Sequence, residues 1–148
     1  MSKKLSDFIS LQKRQKFATD AGNLMHKKLQ FVFIDKNFEQ GDADIISKIK
    51  INSELLQFFC ANSKTEVPIA GKIGDRLISR RIDRLVINDS EKIVTFIDYK
   101  TDINKEILRD KYIKQLTEYK QLLSEIYPDY NINGYILWLF DWTIEQLI

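Results

Sequence analysis

Two aspartates and a lysine stand where residue type and spacing together suggest chemistry. Asp83 lies in the segment RLISRRIDRLVI, and Asp98 and Lys100 lie in KIVTFIDYK. Both segments are rich in Ile, Val and Leu and read as strands. Between them, Asn88-Asp89-Ser90-Glu91 has turn chemistry, so an antiparallel hairpin is predicted. With Ile87 opposite Lys92, Asp83 falls opposite Phe96, and Asp98 becomes its diagonal neighbour on the same face, about 7 Å away. Lys100, two residues on, points to that face as well; Tyr99 points away and leaves its backbone carbonyl available as a ligand. Carboxylates at this separation can share one or two hard cations, Mg²⁺ or Mn²⁺. A cation held there would activate water and neutralise developing charge at a phosphodiester. The lysine would orient that water or stabilise the transition state. A register slip of one residue would put the aspartates on opposite faces.

A structural reading competes with this one. The three charges could form a plain Lys–Asp pair, or sit at an exposed strand end. The neighbours Ile82, Leu85, Val86, Ile87, Ile93, Val94, Phe96 and Ile97 argue for a central, covered hairpin. Buried charges are costly there unless paired or bound to metal.

The elements that would carry this hairpin can be read from periodicity. Residues 20–34 show apolar positions Leu24, Met25, Leu29, Val32 and Phe33 at helical spacing, with Asp20 as a candidate cap. A second helix is predicted over 42–59, marked by Ile45, Ile46, Ile49, Leu55, Leu56 and Phe59. TEVPIAGKIG reads as a strand preceding the hairpin. A helix follows over 106–126, with Tyr112, Leu116, Tyr119, Leu122, Leu123 and Ile126 on one side and Pro128 beyond its end. INGYILWLF then reads as a buried strand. The order predicts one α/β domain over residues 1–148, a mixed central sheet flanked by helices.

Composition bounds the rest. With 148 residues, 44% hydrophobic and 30% charged, the chain is of ordinary globular type. No apolar run reaches the roughly 20 residues that span a bilayer. The N-terminus lacks the apolar stretch of a secretory signal, so a cytoplasmic protein with no membrane partner is expected. The lone Cys60 excludes a disulfide framework and any iron–sulfur or four-thiolate zinc site. Net charge is only +2, so local basic clusters matter more than the total. One is Lys13, Arg14 and Lys16, which reads as a solvated face. The other is Arg76, Arg80, Arg81 and Arg84, which could meet phosphates.

The surroundings of the three charged residues carry a resemblance. Asp83, fourteen intervening residues, then Asp98-Tyr99-Lys100 resembles the Asp-Xn-(Asp/Glu)-X-Lys motif of PD-(D/E)XK nucleases. Arg81-Ile-Asp83-Arg-Leu-Val86 and Ile97-Asp-Tyr-Lys-Thr-Asp102 resemble the nuclease domain of the RecB/AddA helicase–nucleases, AddA most of all. Gln115-Leu-Thr-Glu-Tyr119 is similar to that family's Gln-x-x-x-Tyr element, Gly22-Asn-Leu-Met-His26 to its glycine-to-histidine helix, and Glu66-Val-Pro-Ile-Ala-Gly71 to the strand before the hairpin. The resemblance implies a restriction-endonuclease-like core and a DNA nuclease active in repair, recombination or DNA degradation. RNA stays open as a substrate, because the metal site alone does not read a 2′-hydroxyl. It implies His26, Asp83, Asp98 and the Tyr99 carbonyl as metal ligands, Lys100 as the catalytic lysine, and Glu66 as a further acidic contributor. Gln115 and Tyr119, four apart on one helix face, would hold the lysine region or the DNA. Arg81 and Arg84 would take phosphate oxygens. Alternatives remain for each: a structural histidine, a solvated Glu66, a core tyrosine with a satisfied glutamine.

The chain departs from that family in having no Gly-rich phosphate loop of the Walker type. Unwinding is therefore expected from a helicase partner supplied in trans, if at all. A free-standing nuclease, a split remnant or an excised piece would each fit. A catalytically silent nucleic-acid- or partner-binding domain of the same fold is the main functional alternative. An unrelated α/β domain with structural hairpin charges is the other.

Overall fold

The computed structural model describes residues 3–148; the side chains of residues 3, 8 and 11–20 lie outside the described set. The first element is helix α1 (Lys3–Gln30). It runs through Asp20, so that residue does not start it, and the side chains of Lys13, Arg14 and Lys16 fall outside the described residues. The helix predicted over 20–34 stops short: after Gln30 the chain enters a small hairpin of β1 (Phe33–Asp35) and β2 (Phe38–Gln40). Leu29 and Val32 are fully buried there, whereas Leu24 faces solvent.

The helix predicted over 42–59 forms in pieces. Asp42 caps α2 (Ala43–Lys50), its carboxylate accepting from the Ile45 amide at 3.2 Å. Asn52 then breaks the helix. Its backbone is extended, and its side chain accepts from the amides of Glu54 and Leu55, which starts α3 (Ser53–Leu56) and a 3₁₀ turn (Gln57–Phe59).

The five-strand sheet follows as expected, with one addition. Its order is β3 (Lys64–Ile73), β4 (Arg76–Asn88), β5 (Ile93–Lys100), β6 (Asn131–Trp138) and β7 (Thr143–Gln146). Only β5 and β6 run parallel, joined by α4 (Lys105–Ile126) as the crossover. The fold is thus mixed α/β, a mixed sheet flanked by helices. Helix α4 buries Tyr112, Leu116, Tyr119, Leu122 and Leu123 as its spacing predicts; Ile126 is exposed instead. These side chains join Ile69, Ile82, Leu85, Val94 and Phe96 in a core on one face of the sheet. Leu29, Val32, Ile45, Phe58, Phe59, Ile97 and Tyr99 form a second core on the other. Among the described residues no helix is long and apolar enough to cross a membrane.

The β4–β5 turn differs from the expected register. Ile87 pairs with Val94, Leu85 with Phe96 and Arg84 with Ile97. The ladder runs on to Asn88↔Ile93, so the loop keeps four residues but sits one position later, at 89–92, and Lys92 closes it at φ 53°. Asn88 Oδ1 holds the turn by accepting from the Ser90 hydroxyl and the Glu91 amide. A slip of two preserves the face of every side chain. Continued one step past Arg84↔Ile97, it sets Asp83 directly opposite Asp98 rather than diagonal to it.

Candidate active site

The site forms where β4 and β5 part. The ladder's last pair is Arg84↔Ile97. Beyond it, the Asp83 side chain replaces the backbone as partner: its Oδ2 accepts from the Tyr99 amide at 2.8 Å. The change of face on β4 is sharp. Ile82 and Leu85 join the core under α4, yet Arg84 between them turns to the other side among Leu29, Val32 and Phe59. On the neighbouring strand Glu66 sits at φ 52°, and the flanking pairs Thr65↔Arg84 and Val67↔Ile82 set it beside Asp83. Three carboxylates therefore stand in a row across β3, β4 and β5: Glu66, Asp83 and Asp98.

His26 reaches this row from α1. Its Nδ1 lies 3.6 Å from Asp83 Oδ1, and its ring meets the Tyr99 ring edge-on at 5.4 Å. The contact with the Asp83 carboxylate raises the imidazole pKa, against the opposing effect of burial. Gly22 makes the approach feasible. A Cβ there would lie 2.8 Å from Thr101 Cγ2, so the missing side chain lets α1 pack against the end of β5 one turn before His26.

Lys100 approaches from β5 itself. Its Nζ lies 2.8 Å from Asp98 Oδ2 and donates to Gln115 Oε1 at 2.9 Å. The contact to Asp98 is an ion contact without hydrogen-bond geometry, so Oδ2 remains a buried oxygen with no hydrogen-bond donor. The ammonium also sits 4.4 Å above the Tyr112 ring, whose hydroxyl donates to Asp102. Gln115 Nε2 donates to the Tyr119 hydroxyl at 2.8 Å. The orientation of this amide follows from chemistry: an ammonium only donates, so the amide oxygen must face it and the nitrogen must face the phenol. Burial pushes the Tyr119 phenol up to about 12, and its neutral hydroxyl oxygen accepts from Gln115.

Asp98 bears the strongest electrostatic perturbation. It is 5% exposed. Burial, then the neighbouring Asp83 charge, pushes its carboxyl up to about 7, while Lys100 pulls the other way. Glu66 is also raised, by burial and by Asp83, with Arg81 and His26 opposing. Among the described residues no group of three or more His, Cys, Asp and Glu side chains already converges on one metal position.

The structure brings together His26, Glu66, Asp83, Asp98, Lys100, Gln115 and Tyr119. Arg81 stands at the rim, exposed, with a guanidinium nitrogen 3.9 Å from Glu66. Arg84 does not belong with it, which corrects the expectation of a phosphate contact. Arg84 is 0% exposed, and its donors are committed to the Tyr99 hydroxyl, the Ser63 hydroxyl and the carbonyls of Leu29 and Val32. It clamps the end of α1 to β4 and β5. The expected arginine cluster is divided in other ways too: Arg76 donates to Glu118 at 3.1 Å, and Arg80 faces a groove beside Lys100. Sequence reasoning missed Tyr112 as the platform under Lys100. The signal was its place three residues before Gln115, on the same face of α4. Searches against protein-family models and against curated proteins both return no match for this chain.

Proposed function

We propose that this protein is a divalent-metal-dependent nuclease with a PD-(D/E)XK core, hydrolysing phosphodiester bonds of DNA. The observation that carries this reading is the junction of β4 and β5, where Asp83 and Asp98 stand side by side and Lys100 reaches Asp98 at 2.8 Å. The donor set suits Mg²⁺ or Mn²⁺: Asp83, Asp98 and the Tyr99 carbonyl offer hard oxygens, and His26 offers a borderline nitrogen. Asp98 Oδ2 is buried, with no hydrogen-bond donor in good geometry and the Lys100 ammonium 2.8 Å away; beside the Asp83 carboxylate it has negative charge to share with a cation. When bound, the metal supplies a more acidic water and neutralises charge on the phosphate.

The chain's own residues do the remaining work. Lys100 presents an ammonium to the attacking water or to the developing oxyanion. Gln115 fixes the direction of that ammonium, and Tyr119 fixes Gln115. Asp83 sets the separation of the strands through the Tyr99 amide, and so the position of Asp98. Glu66 adds negative charge that favours a cation over an empty row. A role in DNA repair, recombination or degradation, with a motor partner supplied in trans, accords with the resemblance of the motifs.

The test is direct. The protein is incubated with linear duplex, circular plasmid, single-stranded DNA and RNA, in Mg²⁺, Mn²⁺ or EDTA. Asp98→Ala and Lys100→Ala run beside it. Metal-dependent cleavage lost in both variants is the expected result. Cleavage that persists in EDTA or in Asp98→Ala would sink the mechanism; binding without cleavage throughout points to a silent domain.

A further inference from the structure

An open groove of about 370 Å³ lies beside Lys100, between β4 and α4. Four of its lining side chains are cationic: Arg80 from β4, Lys100 from β5, and Lys111 and Lys114 from α4. Its one carboxylate, Glu118, is engaged by Arg76 at 3.1 Å. Lys100 faces Asp98. Among the described residues no carboxylate lies within ion-pair distance of Arg80, Lys111 or Lys114, and all three are exposed. Lys111, Lys114, Gln115 and Glu118 fall at helical spacings of three and four, so α4 turns one stripe toward Arg80. Gathering like charges is unfavourable unless an anion neutralises them. The excess is local, because the whole chain is only +2.

We propose that this groove is the track of a nucleic-acid backbone, with Arg80, Lys111 and Lys114 contacting successive phosphates as the strand leads to the bond at Lys100. The ligand's identity as a polynucleotide rests on the nuclease reading above; the anionic character of the ligand rests on the groove. Lys111 and Lys114 bind as point charges, without base readout, so binding is insensitive to sequence and steep in salt. The inner end of the track is the Lys100–Gln115 contact, where α4, which carries Lys111 and Lys114, meets the end of β5.

The experiment measures binding of the full chain in EDTA, by fluorescence anisotropy, to a labelled single-stranded oligodeoxynucleotide and to a duplex of equal length, over a salt series. The variants are Arg80→Ala, Lys111→Ala and Lys114→Ala, singly and combined, with Lys36→Ala/Lys64→Ala off the groove as control. Each groove substitution is expected to flatten the slope of log K against log salt by about 0.7 on single strands or about 0.9 on duplex. The triple variant is expected to flatten it by about 2 on single strands. The arm that shows the full change identifies the strand form. An unchanged slope in the triple variant, or an equal loss in the control pair, overturns the proposal. The measurement is independent of hydrolysis. Groove-dependent binding without cleavage in any metal keeps the track and removes the nuclease reading; cleavage with an unaltered slope and KM in the triple variant does the reverse.

Discussion

Replacing Asp98 by asparagine should stabilise the metal-free protein at neutral pH, and the structure gives the size of the effect. The Asp98 carboxyl titrates at about 7 in the folded chain, against 3.8 ordinarily. The folded state therefore holds this proton more tightly than the unfolded chain. The sign follows: the stability tied to Asp98 is fully present below the unfolded value and is lost as pH climbs through the folded one. Some three units at about 1.4 kcal/mol each bring the loss to on the order of 4 kcal/mol. That is large beside the roughly 5–15 kcal/mol total stability of a domain. His26, also raised, acts in the same direction at higher pH, so the comparison must be with the variant rather than across pH alone. Asp98→Asn keeps the shape and removes the charge. Urea unfolding followed by circular dichroism in EDTA, from pH 4 to pH 8, should show wild type falling behind the variant as pH rises, with the gap closing near pH 4. Adding Mn²⁺ at pH 8 should restore wild type and leave the variant unmoved, because the cation replaces the proton only where the carboxylate remains. Parallel stability curves for the two proteins would refute this account of the buried pair.

Other substitutions probe the supporting residues. Arg84→Ala should cost about 3–5 kcal/mol in urea unfolding, because it withdraws a buried cation from several acceptors at once. A loss under 1 kcal/mol would mean that water takes its place. Gln115→Ala should lower kcat roughly 10- to 100-fold with KM little changed, since its hydrogen bond fixes the direction of the Lys100 ammonium. Equal loss in KM would assign Gln115 to binding instead. Gly22→Ala should weaken Mn²⁺ binding by roughly tenfold, read by calorimetry, by pushing α1 and His26 away from Thr101. Unchanged affinity would show that the helix accommodates the methyl by moving the threonine.

The hairpin was legible because its signals agree: period-two apolar residues on both arms and Asn-Asp-Ser-Glu between them. The register was not, because the loop carries Lys92 in a left-handed conformation that lysine seldom adopts. The error of two residues left the aspartates on speaking terms, since only an odd slip exchanges faces. Arg84 was misassigned by proximity to Asp83, although neighbours on a strand turn to opposite sides. The same rule, applied to that position, points it inward to the α1 side. Strands β1, β2 and β7 are three or four residues long, too short for a periodicity to show. The helix over 42–59 was cut by a single side chain, Asn52, whose competition with the backbone is local and invisible to an apolar pattern. The carboxylate row depends on tertiary pairing of three strands, so Glu66 could be suggested only by resemblance until β3 was placed.

The Arg84 clamp also bears on how the protein assembles. Its carbonyl partner Leu29 lies 55 positions away along the chain. Closing so long a loop carries an entropic cost that the contact must offset, and non-local contacts of this kind slow folding. The sheet and α4, joined by the short β4–β5 turn and one crossover, bring Asp83, Asp98, Lys100 and Gln115 together without α1. His26 arrives only when the helix docks. A partially unfolded form with α1 detached would therefore retain the lysine and both aspartates while lacking the imidazole. In such a molecule the final step of folding and the completion of the site are the same event.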